Sequence, residues 1–306
     1  MLSKQYSGLA FILLAAFLWS LLGSLSHYCF AAGLNPLEVA FWRAFFACLC
    51  FAAHAALHHN LCIAPRHAAI FVAFGIVGVG AFFGTFQLAV YHGGAAMAVI
   101  LLYTAPLWVA LFSRLLFHES LPPRKLFALG IALAGTMLVC FSGGSLPSAQ
   151  GSWGIVFGLL SGFCYALHYP FYVWWQNRHS TATIYAYMQL GGLLCLLPFV
   201  SISGAYPWHI WLTLIVLGAI TGYGAYWAYG QSLQRISPVQ VAICANMEPV
   251  LGTLWAWLFW QENFTAQGWL GGALVFSALL LIASHKTTAA QKKPAYTQKR
   301  AEKTQF

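Results

Sequence analysis

Residues 94–117, GAAMAVILLYTAPLWVALFSRLLF, hold a single charged side chain, Arg114. As an α-helix rising ~1.5 Å per residue the run is long enough to cross the ~30 Å hydrocarbon layer of a bilayer, which takes about 20 apolar residues. Residues 237–260, SPVQVAICANMEPVLGTLWAWLFW, repeat that length and character 143 positions further on. The shift lays Tyr103-Thr104-Ala105-Pro106 on Asn246-Met247-Glu248-Pro249, and Phe117-His118-Glu119 on Trp260-Gln261-Glu262. A membrane-crossing helix that occurs twice sets the reading of everything around it.

Composition agrees with lipid as the solvent. The chain has 306 residues, 61% hydrophobic and only 6% charged, against roughly 25% charged in an ordinary soluble domain. This balance excludes a soluble globular protein. The apolar residues divide into ten runs, near 7–30, 36–57, 68–91, 94–117, 123–142, 152–176, 181–203, 207–231, 237–260 and 265–284, so an all-α polytopic membrane protein is expected. The first run is too long, and with Lys4 alone ahead of it too bare, for a cleaved signal peptide, and is read as a retained helix. All five acidic residues are Glu and none is Asp, which argues against a carboxylate-rich magnesium or calcium centre. The eight cysteines form no CxxC pair, so they read as small packing residues rather than as a disulfide framework or zinc site. No cofactor or metal is expected.

Lys and Arg set the expected orientation. With the N-terminus in the cytoplasm, the inner connections hold Lys4, Arg66, Arg124, Lys125, Arg178 and Arg235, while the outer connections hold neither residue type. Both termini are then cytoplasmic. The formal net charge of +9 is concentrated in residues 285–306, where Lys286, Lys292, Lys293, Lys299, Arg300 and Lys303 lie; a disordered tail drawn to anionic lipid head groups explains it without nucleic acid.

The duplication extends beyond one helix. A shift of 146 lays Phe11, Leu14, Phe17 and Trp19 on Phe157, Leu160, Phe163 and Tyr165, so residues 1–142 and 152–284 read as two copies of a five-span unit. Five is odd, so the second copy is inverted in the membrane. Inverted repeats are the architecture of secondary transporters, whose substrate sits near the midplane between the copies.

Several residues now form a pattern: Leu18-Trp19-Ser20 in the first run, Asn35-Pro36 with Arg43 in the second, Phe86-Gln87-Leu-Ala-Val-Tyr91 in the third, then Pro106 and Glu119, then Glu248-Pro249, Glu262 and Gly268-Trp-Leu-Gly271-Gly272. In this set the chain resembles the EamA-like family of the drug/metabolite transporter superfamily, ten-helix carriers built from two EamA repeats, over essentially 7–284. It departs in having Ala105 opposite Glu248 and Tyr103 opposite Asn246, so the halves are not chemically equivalent. The resemblance implies export or uptake of small metabolites, amino acids or related amphiphilic compounds among them, at the inner membrane, by alternating access.

Ionisable groups inside spans are expensive, roughly 3 kcal/mol each at mid-helix, and so call for a partner or a cavity. Glu38 and Arg43 share the second run at a spacing of five, poor for a direct pair, and Arg43 reads either as an anchor between helices or as the receiver of a substrate carboxylate. Glu248 falls near the midplane as a proton or amine acceptor, or a structural glutamate; Pro249 and Pro106 each leave a helix carbonyl without its usual donor. His168 lies mid-span among Tyr165, Tyr169 and Tyr172, with Pro170 beside it, and reads as a substrate or proton group or as a hydrogen-bonded core residue. The remaining candidate contacts are Tyr103, Asn246, Gln87, Trp19, Tyr165, Tyr226 and Trp227. His54, His58, His59 and His67 cluster at one end of the second run without Cys or carboxylate and read as interfacial. Glu119 and Glu262 are expected to cap or tie helices, and Gly130, Gly135, Gly268, Gly271 and Gly272 to pack helices within one chain or between two.

The function expected is a secondary carrier, proton-linked or facilitative, working as a monomer or homodimer, since no GxxxxGK[ST] loop is present to supply energy from a nucleotide. An integral-membrane enzyme or haem protein is the alternative. It would need a carboxylate or His constellation at one face, or paired central histidines, where only His168 is central.

Overall fold

The computed structural model describes residues 2–93, 95–141, 152–200, 206–260 and 265–283, and within them every regular element is helical. The first half holds α1 (Leu2–Ser20), α2 (Leu22–Ala31), α3 (Pro36–Leu57), α4 (Pro65–Gly75), a π-helical segment Ile76–Ala81, α5 (Phe82–Gly93), α6 (Ala95–Leu102), α7 (Ala105–Phe117) and α8 (Pro123–Phe141). The second holds α9 (Ser152–Trp175), α10 (Thr181–Leu196), a 3-10 turn Leu197–Phe199, α11 (Trp208–Val216), a second π segment Leu217–Gly224, α12 (Ala225–Leu233), α13 (Pro238–Ala245), α14 (Met247–Trp260) and α15 (Ala266–Ala283). Among the described residues, eight helical runs are long and apolar enough to cross a membrane. The two other stretches expected as spans are helical too: Pro123–Phe141 as one helix, and the ninth as α13 and α14 with a break at Asn246. Large apolar side chains lie outward along the helices, Leu115, Phe127, Trp208 and Leu280 each more than half exposed. In water such a surface would aggregate; in lipid it is the expected outer face.

Helix ends follow from local chemistry. Asn35 accepts from the Leu37 amide at 2.9 Å while Glu38 accepts from the Asn35 amide at 3.1 Å, a reciprocal cap that starts α3 and accounts for Asn35-Pro36 and Glu38 together. Ser237 and Gln240 do the same for α13, again with Pro in the first turn.

The packing of the two halves is related by exchange. Helix α1 lies against α12, α13 and α14 of the second half, and α9 lies against α5, α6 and α7 of the first. Helix α3 packs on α10 and on the π segment 217–224; α10 packs on α3, on α4 and on the π segment 76–81. The α8–α15 pair closes the periphery. There a Cβ on Gly135 would meet the Gly271 carbonyl at 2.7 Å and one on Gly271 would meet the Gly135 carbonyl at 2.6 Å, so these glycines pack helices within the chain. Gly130, by contrast, has open space at its Cβ position.

Candidate functional site

Four of the helices that cross between halves bring the central residues together. Arg43, on α3, is 7% exposed; its Nη2 donates to the Thr221 carbonyl at 3.1 Å, and its guanidinium lies 4.6 Å from the centroid of the Phe83 ring on α5. Thr221 belongs to the π segment 217–224, whose wider i→i+5 turn shifts its carbonyls from the ordinary α-helical positions. The Thr221 carbonyl accepts from Arg43 of another helix. His168 on α9 repeats the device on the first half: its Nε2 lies 2.5 Å from the Gly78 carbonyl, in the π segment 76–81. A carbonyl only accepts, so Nε2 carries the proton.

Aromatic rings fill the space between these two joints. The Trp19 ring lies 5.2 Å from Tyr226, 5.7 Å from Tyr229 and 6.2 Å from Tyr165, and Tyr226 is 5.1 Å from Tyr185 and 5.7 Å from His168. These are edge-to-face and offset contacts, each worth about 0.5–1.5 kcal/mol beyond the area buried. Glu248, half-buried at the start of α14, joins the same cluster: it is close enough to Arg43 for attraction, to Tyr165, Tyr169 and Tyr226 for repulsion if they ionised, and to Tyr103 for a side-chain hydrogen bond. Arg43, Glu248, His168, Tyr103, Trp19, Tyr165 and Tyr226 are thus one constellation.

Three other candidates stand apart from it. Asn246 is fully buried and its amide is engaged at both ends: Oδ1 accepts from Thr136 on α8 at 3.0 Å, and Nδ2 donates to the Ala242 carbonyl at 2.9 Å. It holds the break in the ninth span and ties it to α8. Trp227, next to Tyr226 in sequence, packs edge-on against Phe11 of α1 at 5.7 Å. Gln87 is half-buried on α5, one turn beyond Phe83. The helix breaks expected from Pro106 and Pro249 are present, between α6 and α7 and between α13 and α14. At the first break Thr104 donates from Oγ1 to the Leu101 carbonyl at 2.7 Å.

Of the peripheral candidates, Glu38 caps α3 and accepts from the Tyr206 hydroxyl at 3.4 Å, next to which burial and the Glu38 charge raise the Tyr206 hydroxyl's pKa. Glu119 pairs with Lys125 at 2.6 Å, both largely buried, tying the end of α7 to the start of α8. Glu262 and residues 285–306 lie outside the described residues. His54 meets the Tyr223 hydroxyl at 2.8 Å and His67 meets His179 at 2.9 Å, and among the described residues no group of three or more His, Cys, Asp or Glu could hold a metal.

The sequence reading missed Tyr185 and Tyr229 as cage walls, and the two carbonyl acceptors, Gly78 and Thr221. The glycines and threonine inside 76–81 and 217–224 were the available signal, since a π turn favours residues that let a second helix approach.

Comparison with known proteins agrees with this arrangement. A family model described as the EamA-like transporter family matches residues 6–141 and again 152–284. The chain is 25% identical to the inner membrane transporter YicL of Salmonella typhimurium, itself uncharacterized, over 90% of this chain and 94% of that one. It is 28% identical to an uncharacterized transporter of Archaeoglobus fulgidus over 63% of this chain and 68% of that one. A solved crystal structure overlays 90% of this chain and 96% of its own with a TM-score of 0.76 at 19% identity, which shows a shared fold. This multi-pass membrane chain, with its charged and aromatic residues gathered where two matching segments cross, belongs to the EamA-like transporter family.

Proposed function

We propose that this transporter is a secondary carrier, not an enzyme, that moves amino acids or related amphiphilic metabolites by alternating access at the inner membrane. One observation carries this reading: a buried arginine and a carboxylate, Arg43 and Glu248, sit on helices from opposite halves within electrostatic range of each other, without a direct ion pair, among aromatic rings. A zwitterion satisfies both, its carboxylate on the guanidinium and its amine on Glu248 and the ring faces, which attract cations by about 0.5–2 kcal/mol. Neither group alone selects that chemistry. The pairwise exchange of contacts between residues 1–142 and 152–284 supports an inverted repeat, in which rocking one half against the other opens the centre to each side in turn. Glu248, reached by a substrate amine or by a proton, is the coupling residue in this reading, which makes the carrier proton-linked. The basic residues at 285–306 lie on the cytoplasmic face against anionic lipid, with both termini inside, and the working unit is a monomer or homodimer.

The test is uptake of a labelled amino-acid mixture into proteoliposomes under an imposed pH gradient, wild type against Glu248→Gln. Gradient-driven accumulation that vanishes in the variant supports proton-linked carriage through Glu248. Accumulation that persists unchanged removes Glu248 from coupling, and no amino-acid uptake in the wild type overturns the substrate class.

A further inference from the structure

Away from the centre, unbalanced charge gathers at one end of the bundle. Four spans share that level: Pro36–Leu57 and Trp153–Trp175 end there, and Pro65–Ala89 and Thr181–Phe199 begin there. His67 of the first half and His179 of the second meet across the junction at 2.9 Å. Each of these histidines directly follows an exposed arginine, Arg66 and Arg178. The three carboxylates among the described residues are placed elsewhere: Glu38 caps the opposite end of α3, Glu119 pairs with Lys125, and Glu248 lies in the central constellation. Two guanidiniums, one from each half, are thus left facing outward beside a contact that joins the halves. Such a pair matches a phosphate, whose oxygens accept from the planar fork of arginine.

The surroundings say which phosphate. Arg66 shares a face of α4 with Ala69 and Ala73, three and seven residues further on and both exposed, and beyond them Ile76 and Val77 are 44% and 38% exposed. The arginine heads a stripe that faces lipid. In the second half Arg178 lies 5.6 Å from the centroid of the Trp175 ring, and Trp174 beside it is 45% exposed, the placement of tryptophan at head-group level. A soluble anion makes no use of an apolar stripe, whereas a phospholipid sets its phosphate at the height of the arginines and its acyl chains along the stripe. A zwitterionic head group brings its own cation toward two guanidiniums; an anionic one does not.

We propose that Arg66 and Arg178 together seat the phosphate of one anionic phospholipid, which clips the two halves to each other at this end. The seat is independent of the compound carried. It is also separate from the basic residues at 285–306, whose attraction to the membrane needs no defined position.

The experiment is native mass spectrometry of the full chain in detergent, titrated with phosphatidylglycerol or with phosphatidylcholine of the same acyl chains. The expected result is one phosphatidylglycerol bound about tenfold or more tighter than phosphatidylcholine, and a loss of about fivefold for that same lipid in Arg66→Gln and again in Arg178→Gln. Arg66→Lys keeps the charge without the fork and loses less, which supplies the reading if Arg66→Gln does not fold. Melting temperature rises with phosphatidylglycerol and stays level with the same concentration of inorganic phosphate, and the tail variant Lys299→Gln, Arg300→Gln binds as the wild type does. Equal affinity for the two lipids overturns the proposal, as does an equal rise with inorganic phosphate. Two tight lipids, a different one lost in each arginine variant, overturn the shared seat, and a preference lost only in the tail variant moves the site to the tail.

Discussion

The π segments Ile76–Ala81 and Leu217–Gly224 occupy matching places in the two halves, and each opens a turn from which a carbonyl accepts a side chain of the opposite half. The donors differ: a neutral imidazole closes the first and a guanidinium closes the second. The same split recurs at the broken helices, where the first half has Tyr103 and a self-capping Thr104 while the second has Asn246 bridged to α8, followed by Glu248. The two matching segments share a backbone shape, on which the crossing geometry depends, and differ in the side chains that close it. Shape and chemistry can therefore be broken separately.

The largest effect is expected where charge is buried beside the repeated shape. Glu119→Gln leaves the Lys125 ammonium, now with its side chain 5% exposed, without its 2.6 Å partner. Breaking a buried pair by one member is destabilising by about 3–5 kcal/mol, read as a drop in the melting temperature of the detergent-solubilised protein. The double variant Glu119→Gln, Lys125→Met should recover a large part of that loss. Next comes the shape itself. A Cβ on Gly75 would sit 2.0 Å from the Met188 carbonyl, and at the matching Gly218 it would sit 2.4 Å from the Phe46 Cβ. The first contact is backbone and cannot rotate away, so Gly75→Ala should cost about 3 kcal/mol and Gly218→Ala somewhat less. Gly84→Ala and Gly130→Ala, with nothing within 4 Å, should be neutral or stabilising by up to ~1 kcal/mol. Equal melting temperatures for Gly75→Ala and Gly84→Ala would refute the close approach of α4 to α10.

A smaller effect probes the broken helix of the second half. Asn246→Ala removes the acceptor of Thr136 and the donor to Ala242 together and should cost about 1–3 kcal/mol, while Thr136→Val should cost about 1 kcal/mol. If Thr104→Val in the first half is as damaging as Asn246→Ala, the two breaks are held with equal strength and the asymmetry lies only in Glu248.

How much of this was readable beforehand divides along the same line. The spans, their pairing at shifts of 143 and 146 and the central placement of Arg43, His168 and Glu248 follow from apolar run length and from the expense of charge in lipid, both local properties of sequence. What was not readable is which way a side chain faces from a widened turn. Tyr226 and Trp227 are neighbours in sequence with the same character, yet one enters the cage and the other packs on Phe11. That Asn246 bonds Thr136 and the Ala242 carbonyl likewise needs the fold, since Thr136 lies 110 positions away in sequence. Tyr185 and Tyr229 could have been inferred only from the exchange of neighbours between halves, which needs the packing.

The gentlest way to separate the halves acts at a polar end, where His67 in the first turn of α4 meets His179 between α9 and α10 at 2.9 Å, with Thr183 bonded to the Asn60 carbonyl and Tyr187 to the Leu61 carbonyl. An N–H···N bond between imidazoles needs one ring nitrogen as acceptor, and protonating both rings removes it. Burial, then the neighbouring His67 and Arg178 charges, lower the pKa of His179 below its ordinary value of 6.5. A base whose pKa is lowered on folding binds its proton more tightly in the unfolded chain, so its contribution to stability is complete above pH 6.5 and is lost as pH falls through the folded-state value. Melting temperature measured from pH 8 to pH 5 should hold level and then fall below about 6.5, and His179→Gln should fall less steeply over the same acid range. An unchanged acid slope in the variant would assign the loss to other histidines and leave the central joints, Arg43 on Thr221 and His168 on Gly78, as the contacts that hold the two halves together through acid.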